Sequence, residues 1–168
     1  MAWDDTDTPE AVTVAEIMTM EVVTTTADRP VEEVAHELRA HGFGGLPVVD
    51  EVGIPIGMVS EFDIISKRGH TVAEIMTRGA ISVGDETSAD QVVALMGVHG
   101  IRRVPVVRDG RLVGIVSRSD LLRLFSLIRW TCAQCGDYER GFVRPDRCAR
   151  CGGTTLHLER EHRTSEGF

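Results

Sequence analysis

The hexapeptide VAEIMT occurs twice in this chain, at residues 14–19 and again at residues 72–77. When the two copies are superimposed, further identical residues fall into register: Val34 with Val92, PVV at 47–49 with PVV at 105–107, and G-x-V-S-x-x-D at 57–63 with the same pattern at 114–120. Identities that keep register over such a length indicate an internal duplication, with a unit of roughly 60 residues. Any fold proposed for this chain must therefore be built from two similar halves.

Each unit shows the same order of secondary-structure signals. A short β-rich run, EVVTTT at 21–26 or AISV at 80–83, precedes apolar residues at helical spacing that end at Gly42 or Gly100. Two apolar strands joined by a hairpin turn follow, and an amphipathic helix closes the unit. The sequence therefore predicts a β-α-β-β-α unit, present twice, in the α/β (α+β) class.

The motifs h-P-V-V and G-x-V-S-x-x-D, on either side of the hairpin, resemble those of the CBS domain. Two in tandem resemble a CBS pair, also called a Bateman module. The resemblance implies a pseudo-twofold pair with two clefts, which in many members hold AMP, ADP, ATP or S-adenosylmethionine. We predict five segments: an acidic N-terminal tail at 1–11, CBS repeats at 12–70 and 71–128, a small metal-bound β-ribbon at 129–158 and a polar tail at 159–168.

Two Ser-x-x-Asp pairs begin the closing helices of the units, Ser60 with Asp63 and Ser117 with Asp120. By spacing alone each pair is a helix capping box, which needs no ligand. The resemblance implies a second role, because the family uses this aspartate to bind ribose, and the two roles can coexist. It also implies that each cleft draws on both repeats: Thr19, Val23, Phe43 and Gly44 facing Ser117 and Asp120, and Thr77, Ile81, Ile101 and Arg102 facing Ser60 and Asp63.

The two predicted clefts differ in charge. The second repeat carries Arg102 and Arg103 where the first carries Gly44 and Gly45. Because arginine binds phosphate through a bidentate fork, we predict a phosphorylated adenosine in the cleft that contains Asp63. The alternative is that both arginines are solvated surface charges that pair with nearby acids. For the apolar cleft residues the alternative is an ordinary core role: Val23, Phe43, Ile81 and Ile101.

Every cysteine of the chain falls in one C-x2-C-x12-C-x2-C pattern near the C-terminal end: Cys132, Cys135, Cys148 and Cys151. A glycine follows each pair and allows the tight turn that brings two thiolates onto one metal ion. Four thiolates satisfy tetrahedral Zn²⁺ without an open position, and the segment resembles a zinc ribbon of the rubredoxin-knuckle type. Iron is the alternative metal, since the same four sulfurs suit it. The chain shows no export signal that would favour disulfides.

Composition and charge narrow the functional classes. No apolar run approaches the roughly 20 residues that span a bilayer, so we expect a soluble, cytoplasmic protein without membrane contact. The net charge of −8 argues against general binding to nucleic acid. No Ser-His-Asp set, Walker loop or GxGxxG motif is found, so the sequence does not predict an enzyme.

We therefore expect a regulatory CBS pair that senses an adenine nucleotide, joined to a structural zinc ribbon that contacts a partner protein. A homodimer is expected because the last helix of the second repeat is more apolar than one buried face requires. Two alternatives remain at this point: a rubredoxin-like iron electron-transfer protein, and a regulator that binds nucleic acid through the ribbon.

Overall fold

The computed structural model describes residues 11–161, so most of the two predicted tails lies outside the described residues. The first repeat contains α1 (Val31–His41), β1 (Gly45–Val49), β2 (Pro55–Ser60) and α2 (Glu61–Ser66). The second contains α3 (Val72–Ile75), β3 (Thr77–Arg78), β4 (Val83–Gly84), α4 (Ala89–His99), β5 (Arg103–Arg108), β6 (Arg111–Ser117) and α5 (Arg118–Leu127). The ribbon contains β7 (Ile128–Cys132), β8 (Tyr138–Glu139) and β9 (Leu156–Arg160). The predicted mixed α/β class is confirmed.

Helices α1 and α4 end where the sequence predicts. Each is followed by a glycine in the left-handed region, Gly42 at φ 66° and Gly100 at φ 65°. This conformation is easily accessible to glycine and lets the chain reverse into the next strand. At the other end, Ser88 and Gln91 form a capping box at the start of α4. Both helices therefore have the same length and enter their strands in the same way.

The central strands form one antiparallel hairpin in each repeat. In the first, Leu46 lies opposite Val59, and in the second Val104 lies opposite Val116. All four of these side chains are buried. The three sheets have the strand orders β1-β2-β3, β4-β5-β6 and β8-β7-β9, so the sheet of the first repeat is completed by β3 from the start of the second repeat.

The β-rich run of the first unit was predicted as a strand, and this prediction is wrong for most of its length. Only Thr25 pairs, in one parallel bridge to Val48, and in the second unit only Val83 of the predicted run at 80–83 lies in a strand, β4. The cause lies just upstream, where Thr19 pairs with Ile115 of the second repeat. The chain must cross from one sheet to the other between Thr19 and Thr25, so the intervening residues cannot follow one partner strand.

The two hexapeptides are exchanged between the repeats. Val14, in a 3₁₀ turn at Val14–Glu16, is buried in the core of the second repeat, beside Val92 and Val104. Val72 and Ile75 of the second hexapeptide are buried in the core of the first repeat. Each repeat therefore lacks part of its own core without the other, which explains why the same short segment occurs twice.

A glycine lies beneath each exchanged segment. A Cβ atom at Gly57 in β2 would lie 2.6 Å from the backbone oxygen of Thr77. At the equivalent Gly114 in β6, a Cβ atom would overlap the side chain of Met18. Real Cβ atoms do not approach other atoms so closely, so the glycine of each G-x-V-S motif makes room for the crossing segment.

The ribbon follows α5 without a linker, because β7 starts at the residue after the last residue of the helix. Trp130 in β7 is buried, and its indole N–H donates to the backbone oxygen of Gly141 at 3.1 Å. Strand β9 pairs with β7 as far as Arg160 and so runs two residues beyond the predicted ribbon end at 158. An ion pair between Arg129 and Glu159, at 2.8 Å, joins these two strands.

Within residues 11–161, no helix is both long and apolar enough to cross a membrane.

Candidate functional site

A cavity of about 800 Å³ lies on the seam between the two repeats. Its lining comes from both of them, because the chain crosses this region before each central strand and at the start of each closing helix. Nine of the residues predicted to bind ligand line it: Gly44, Ser60, Asp63, Thr77, Ile81, Ile101, Arg102, Arg103 and Ser117. The sequence placed Gly44 and Ser117 in a different cleft from the other seven, whereas the structure joins them in one cavity.

Four predicted residues are not part of this cavity lining. Thr19 forms its backbone bridge with Ile115, and Asp120 is buried and accepts hydrogen bonds from Ser117. Phe43 stacks on His41, with ring centroids 5.2 Å apart, and packs with Val23 against the core of the first repeat. For Val23 and Phe43 the structure thus supports the core role that the sequence left open.

The two Ser-x-x-Asp pairs form capping boxes, as their spacing predicts. At the start of α2, the amide and the hydroxyl of Ser60 donate to Oδ2 of Asp63 at 2.8 and 2.5 Å. At the start of α5, Ser117 donates to Oδ2 of Asp120 in the same way, at 2.8 and 2.6 Å. The aspartates are only 7% and 9% exposed, so their carboxylates are held in one orientation.

Sequence reasoning missed a third partner of Asp63. The ammonium of Lys67 lies 2.7 Å from Oδ1 of Asp63 and also donates to the backbone oxygen of Ile75 at 2.7 Å. Burial alone would raise the pKa of Asp63, but hydrogen bonds from Lys67 and Ser60 outweigh it and hold that pKa below its usual value. The i,i+4 spacing from Asp63 to Lys67 was the signal that could have revealed this pair.

Arg103 lies against the backbone of the first repeat. A Cβ atom at Gly44 would approach its guanidinium nitrogen to 2.8 Å, so the glycine makes room for the arginine. Among the described residues neither Arg102 nor Arg103 forms a salt bridge, although eight such pairs occur elsewhere in that part of the chain. Both guanidinium groups therefore have donors free for an anion in the cavity.

The four cysteines converge at the tip of the ribbon. All four sulfur atoms lie within 4.8 Å of one another, and the Sγ atoms are 3.6 Å apart in the pairs Cys132–Cys151 and Cys135–Cys148. A tetrahedron with metal–sulfur bonds of ~2.3 Å has edges of about 3.8 Å, so the spacing fits a single ion. The turn glycines Gly136 and Gly152 have φ values of 72° and 74°, as knuckle turns require.

The local electrostatics also favour a cation at this centre. Backbone N–H groups at Cys135 and Gln134 lower the pKa of Cys132 to about 7. The backbone amide at Asp137 lowers the pKa of Cys135, but the neighbouring thiols Cys151 and Cys148 outweigh it and raise that pKa to about 12. Four sulfurs this close can be thiolates together only when a positive ion offsets their repulsion. The donor set suits Zn²⁺ and iron equally.

The ribbon is docked on the second repeat by polar contacts at the end of α5. Arg140 donates to the backbone oxygen of Ser126 at 2.7 Å, and the amide of Glu161 donates to the oxygen of Leu127 at 2.7 Å. These are carbonyl groups that a helix end leaves without partners. A further ion pair, 2.6 Å long, joins Arg160 to Glu16 of the first hexapeptide. The ribbon therefore contacts α5, the helix that Ser117 caps at its other end, and the first hexapeptide, in which Thr19 pairs with Ile115 close to Ser117.

Together these features define a tandem pair of α/β repeats with a polar seam cavity and an appended four-cysteine ribbon. The family model described as CBS domain matches residues 14–70 and 72–127, and the chain belongs to the CBS domain family as a tandem pair. The ribbon lies outside the two matched ranges.

Two relatives illustrate the range of this family. The chain is 34% identical over 123 residues to the uncharacterized protein MK0525 of Methanopyrus kandleri, a match that covers 68% of this chain and 63% of that protein. It is 34% identical over 115 residues to the CBS domain-containing protein YhcV of Bacillus subtilis, covering 64% of this chain and 81% of that one. The first match thus spans less than two thirds of the relative.

Two similar solved structures contain adenosyl ligands. One is the CBS domain pair of protein MJ0100 in complex with 5′-methylthioadenosine and S-adenosyl-L-methionine, with 34% identity, a TM-score of 0.65, and coverage of 69% of this chain and 97% of that chain. The other is CBSX2 in complex with AMP, with 28% identity, a TM-score of 0.63, and coverage of 66% and 93%.

Proposed function

We propose that this protein is a regulatory module that senses an adenosyl ligand in the cavity between its two CBS repeats. The observation that carries the proposal is the composition of that cavity, which combines the buried carboxylate of Asp63 with the guanidinium groups of Arg102 and Arg103. A carboxylate accepts the hydroxyl groups of a ribose, and arginines bind phosphate. The ligands of the two solved neighbours are of the same chemical class.

Each part of the ligand has candidate contacts. Ser60 and Asp63 accept the ribose, and the aliphatic side chains of Ile81 and Ile101 flank the purine ring. Arg103 extends towards Gly44 of the opposite repeat and lines the same cavity as Asp63, so we assign the phosphate to it. A phosphorylated ligand such as AMP, ADP or ATP therefore suits this end of the cavity better than an uncharged thioether. Thr19 and Asp120 do not line this cavity, and we assign them to the second cleft of the pair, next to Ser117.

We assign the ribbon a structural metal ion, zinc by preference and iron as the alternative, held by the four cysteines. Its contacts with the end of α5 give it a physical connection to the repeats through which a signal from the cavity can reach it. Val143 and Tyr138 leave apolar surface on the ribbon, at 71% and 54% exposure, for contact with a partner protein.

The proposal includes a homodimer. Ile65 in α2 and Leu122 in α5 occupy equivalent positions in the two repeats and are 79% and 69% exposed. Phe62, one turn before Ile65, is 70% exposed as well. Apolar side chains that recur on the same helix in both repeats are the kind of surface that a second copy of a pseudo-symmetric chain can cover.

Thermal-shift measurements with AMP, ADP, ATP, NAD and S-adenosylmethionine test the proposed function. A ligand at 100 times its Kd stabilises the native state by about 2.7 kcal/mol, which for a chain of this size raises Tm by roughly 5 °C or more. We expect at least one adenosyl ligand to give such a shift, with GMP as a matched purine control giving less. No shift with any of the five would contradict the proposal.

A further inference from the structure

The carboxylates of Asp63 and Asp120 have equivalent positions but different numbers of bound donors. In both, Oδ2 accepts the amide and the hydroxyl of the capping serine. In Asp63, Oδ1 also accepts the ammonium of Lys67 at 2.7 Å. Among residues 11–161, no side chain or amide donates to Oδ1 of Asp120. The two aspartates therefore differ in how many further hydrogen bonds their carboxylates can accept.

Lys67 is held in place by two contacts. Besides Asp63, its ammonium donates to the carbonyl of Ile75, the last residue of α3, at 2.7 Å. The equivalent position in the second repeat is Leu124, whose side chain is buried in the core of that repeat. Lys67 thus connects α2 to the second hexapeptide, which packs in the core of the first repeat, and the second repeat has no counterpart of this lysine.

The presence of Lys67 changes how many acceptor positions each carboxylate has left for a ligand. An ionised carboxylate offers about four lone-pair positions on its two oxygens. The capping serine uses two of them in each repeat, which leaves two at Asp120. At Asp63, Lys67 uses a third and leaves one. The two hydroxyls of a ribose need two acceptors, so the Asp63 end can bind only one hydroxyl unless Lys67 moves away.

We propose that Lys67 sets the sugar specificity of the Asp63 end of the cavity. With Lys67 bound to Oδ1, this end accepts a single hydroxyl and so discriminates weakly between ribose and 2′-deoxyribose. Asp120 lies outside the lining of this cavity, and at the second cleft, where leucine replaces the lysine, it has two acceptor positions left and selects the full vicinal diol. This inference rests on the proposed function, since it concerns how the same seam recognises its adenosyl ligand.

The test compares AMP with 2′-deoxy-AMP by isothermal titration calorimetry. Asp120→Asn isolates the Asp63 end, because the amide keeps a capping oxygen for Ser117 but loses the carboxylate, and Asp63→Asn isolates the other end. We expect deoxy-AMP to bind about tenfold or more weaker than AMP at the Asp120 end, and within about threefold at the Asp63 end. Replacing Lys67 with leucine in the Asp120→Asn background is expected to raise the ratio of the deoxy-AMP Kd to the AMP Kd at Asp63 to about tenfold.

Two further variants serve as controls for this test. Lys67→Met keeps the aliphatic stem and provides the same comparison if the leucine variant fails to fold. Arg68→Leu removes an equal charge one residue away and is expected to leave the ratio unchanged. The inference is overturned if AMP binds but removal of Lys67 does not change the ratio. If the folded wild-type protein binds neither nucleotide, the proposed function itself fails, and this inference fails with it.

Discussion

Replacing Cys148 with serine is expected to release the metal ion from the ribbon and to unfold strands β7 to β9. The ribbon buries few large side chains of its own, among them Trp130 and Leu156. A segment of about 30 residues cannot bury enough apolar surface to remain folded without help. Metal binding to a four-thiolate site contributes about 10 kcal/mol or more of apparent folding free energy, so its loss exceeds what the small core supplies.

The loss should extend into the second repeat. Arg140 of the ribbon and the amide of Glu161, the residue directly after β9, satisfy carbonyl groups at the end of α5. When the ribbon unfolds, these carbonyls turn to water and the last turn of α5 is expected to fray. The Tm of the repeats should therefore fall as well, by a few degrees.

Elemental analysis of the purified protein and thermal unfolding measure both effects. The wild-type chain is expected to carry one metal ion, and the Cys148→Ser variant none, with a lower Tm. His157→Gln is the matched control, because His157 is exposed near the cysteines but is not needed by a site that four thiolates fill. A Cys148→Ser protein with a full complement of metal and an unchanged Tm would contradict the assignment of the ribbon.

The double variant Asp63→Asn/Asp120→Asn is expected to weaken binding of the adenosyl ligand by about 100-fold or more. Under the proposed function each aspartate supplies charged acceptors to a ribose, and a hydrogen bond to a charged group is worth about 1.5–3 kcal/mol. Asparagine preserves the size of the side chain and one capping oxygen, so α2 and α5 should keep their N-termini. Isothermal titration calorimetry with AMP gives the change in Kd directly.

Asp109→Asn provides the control for this prediction. Asp109 lies at the hairpin between β5 and β6 with φ 51°, a conformation that asparagine also tolerates. The substitution changes the charge in the same chemical way, away from the residues that line the cavity, and should leave AMP binding unchanged. Wild-type affinity in the double variant would remove both aspartates from the site.

Much of the fold was predictable because local signals are repeated in the two units. Gly42 and Gly100 end helices as expected, and the continuous apolar runs at 46–49 and 104–107 form buried strands. The exchange of the hexapeptides was not predictable from these signals. It depends on where Val14 and Val72 find a core, and each one finds it in the other repeat. The predicted strand at 21–26 is wrong for the same reason, because the chain crosses there from the sheet of one repeat to that of the other.

The candidate site was predictable to the extent that its residues carry local patterns. The capping boxes at Ser60 and Ser117 follow from spacing, and the exchange of two glycines for two arginines marked Arg103. Lys67 was missed because its role depends on which face of α2 meets the second hexapeptide. The positions of Phe43 and Asp120 outside the cavity lining depend on packing depth, which residue types alone do not specify.

The central claim is that an adenosyl ligand binds in the seam between the repeats. Amide hydrogen exchange with and without saturating AMP tests it most directly. We predict slower exchange in the segments that line the cavity, namely 42–45, 77–81 and 100–103, and little change in the hairpin at 108–111. Unchanged exchange in the three seam segments, under conditions where AMP is bound, would show that the ligand lies elsewhere and would contradict the account.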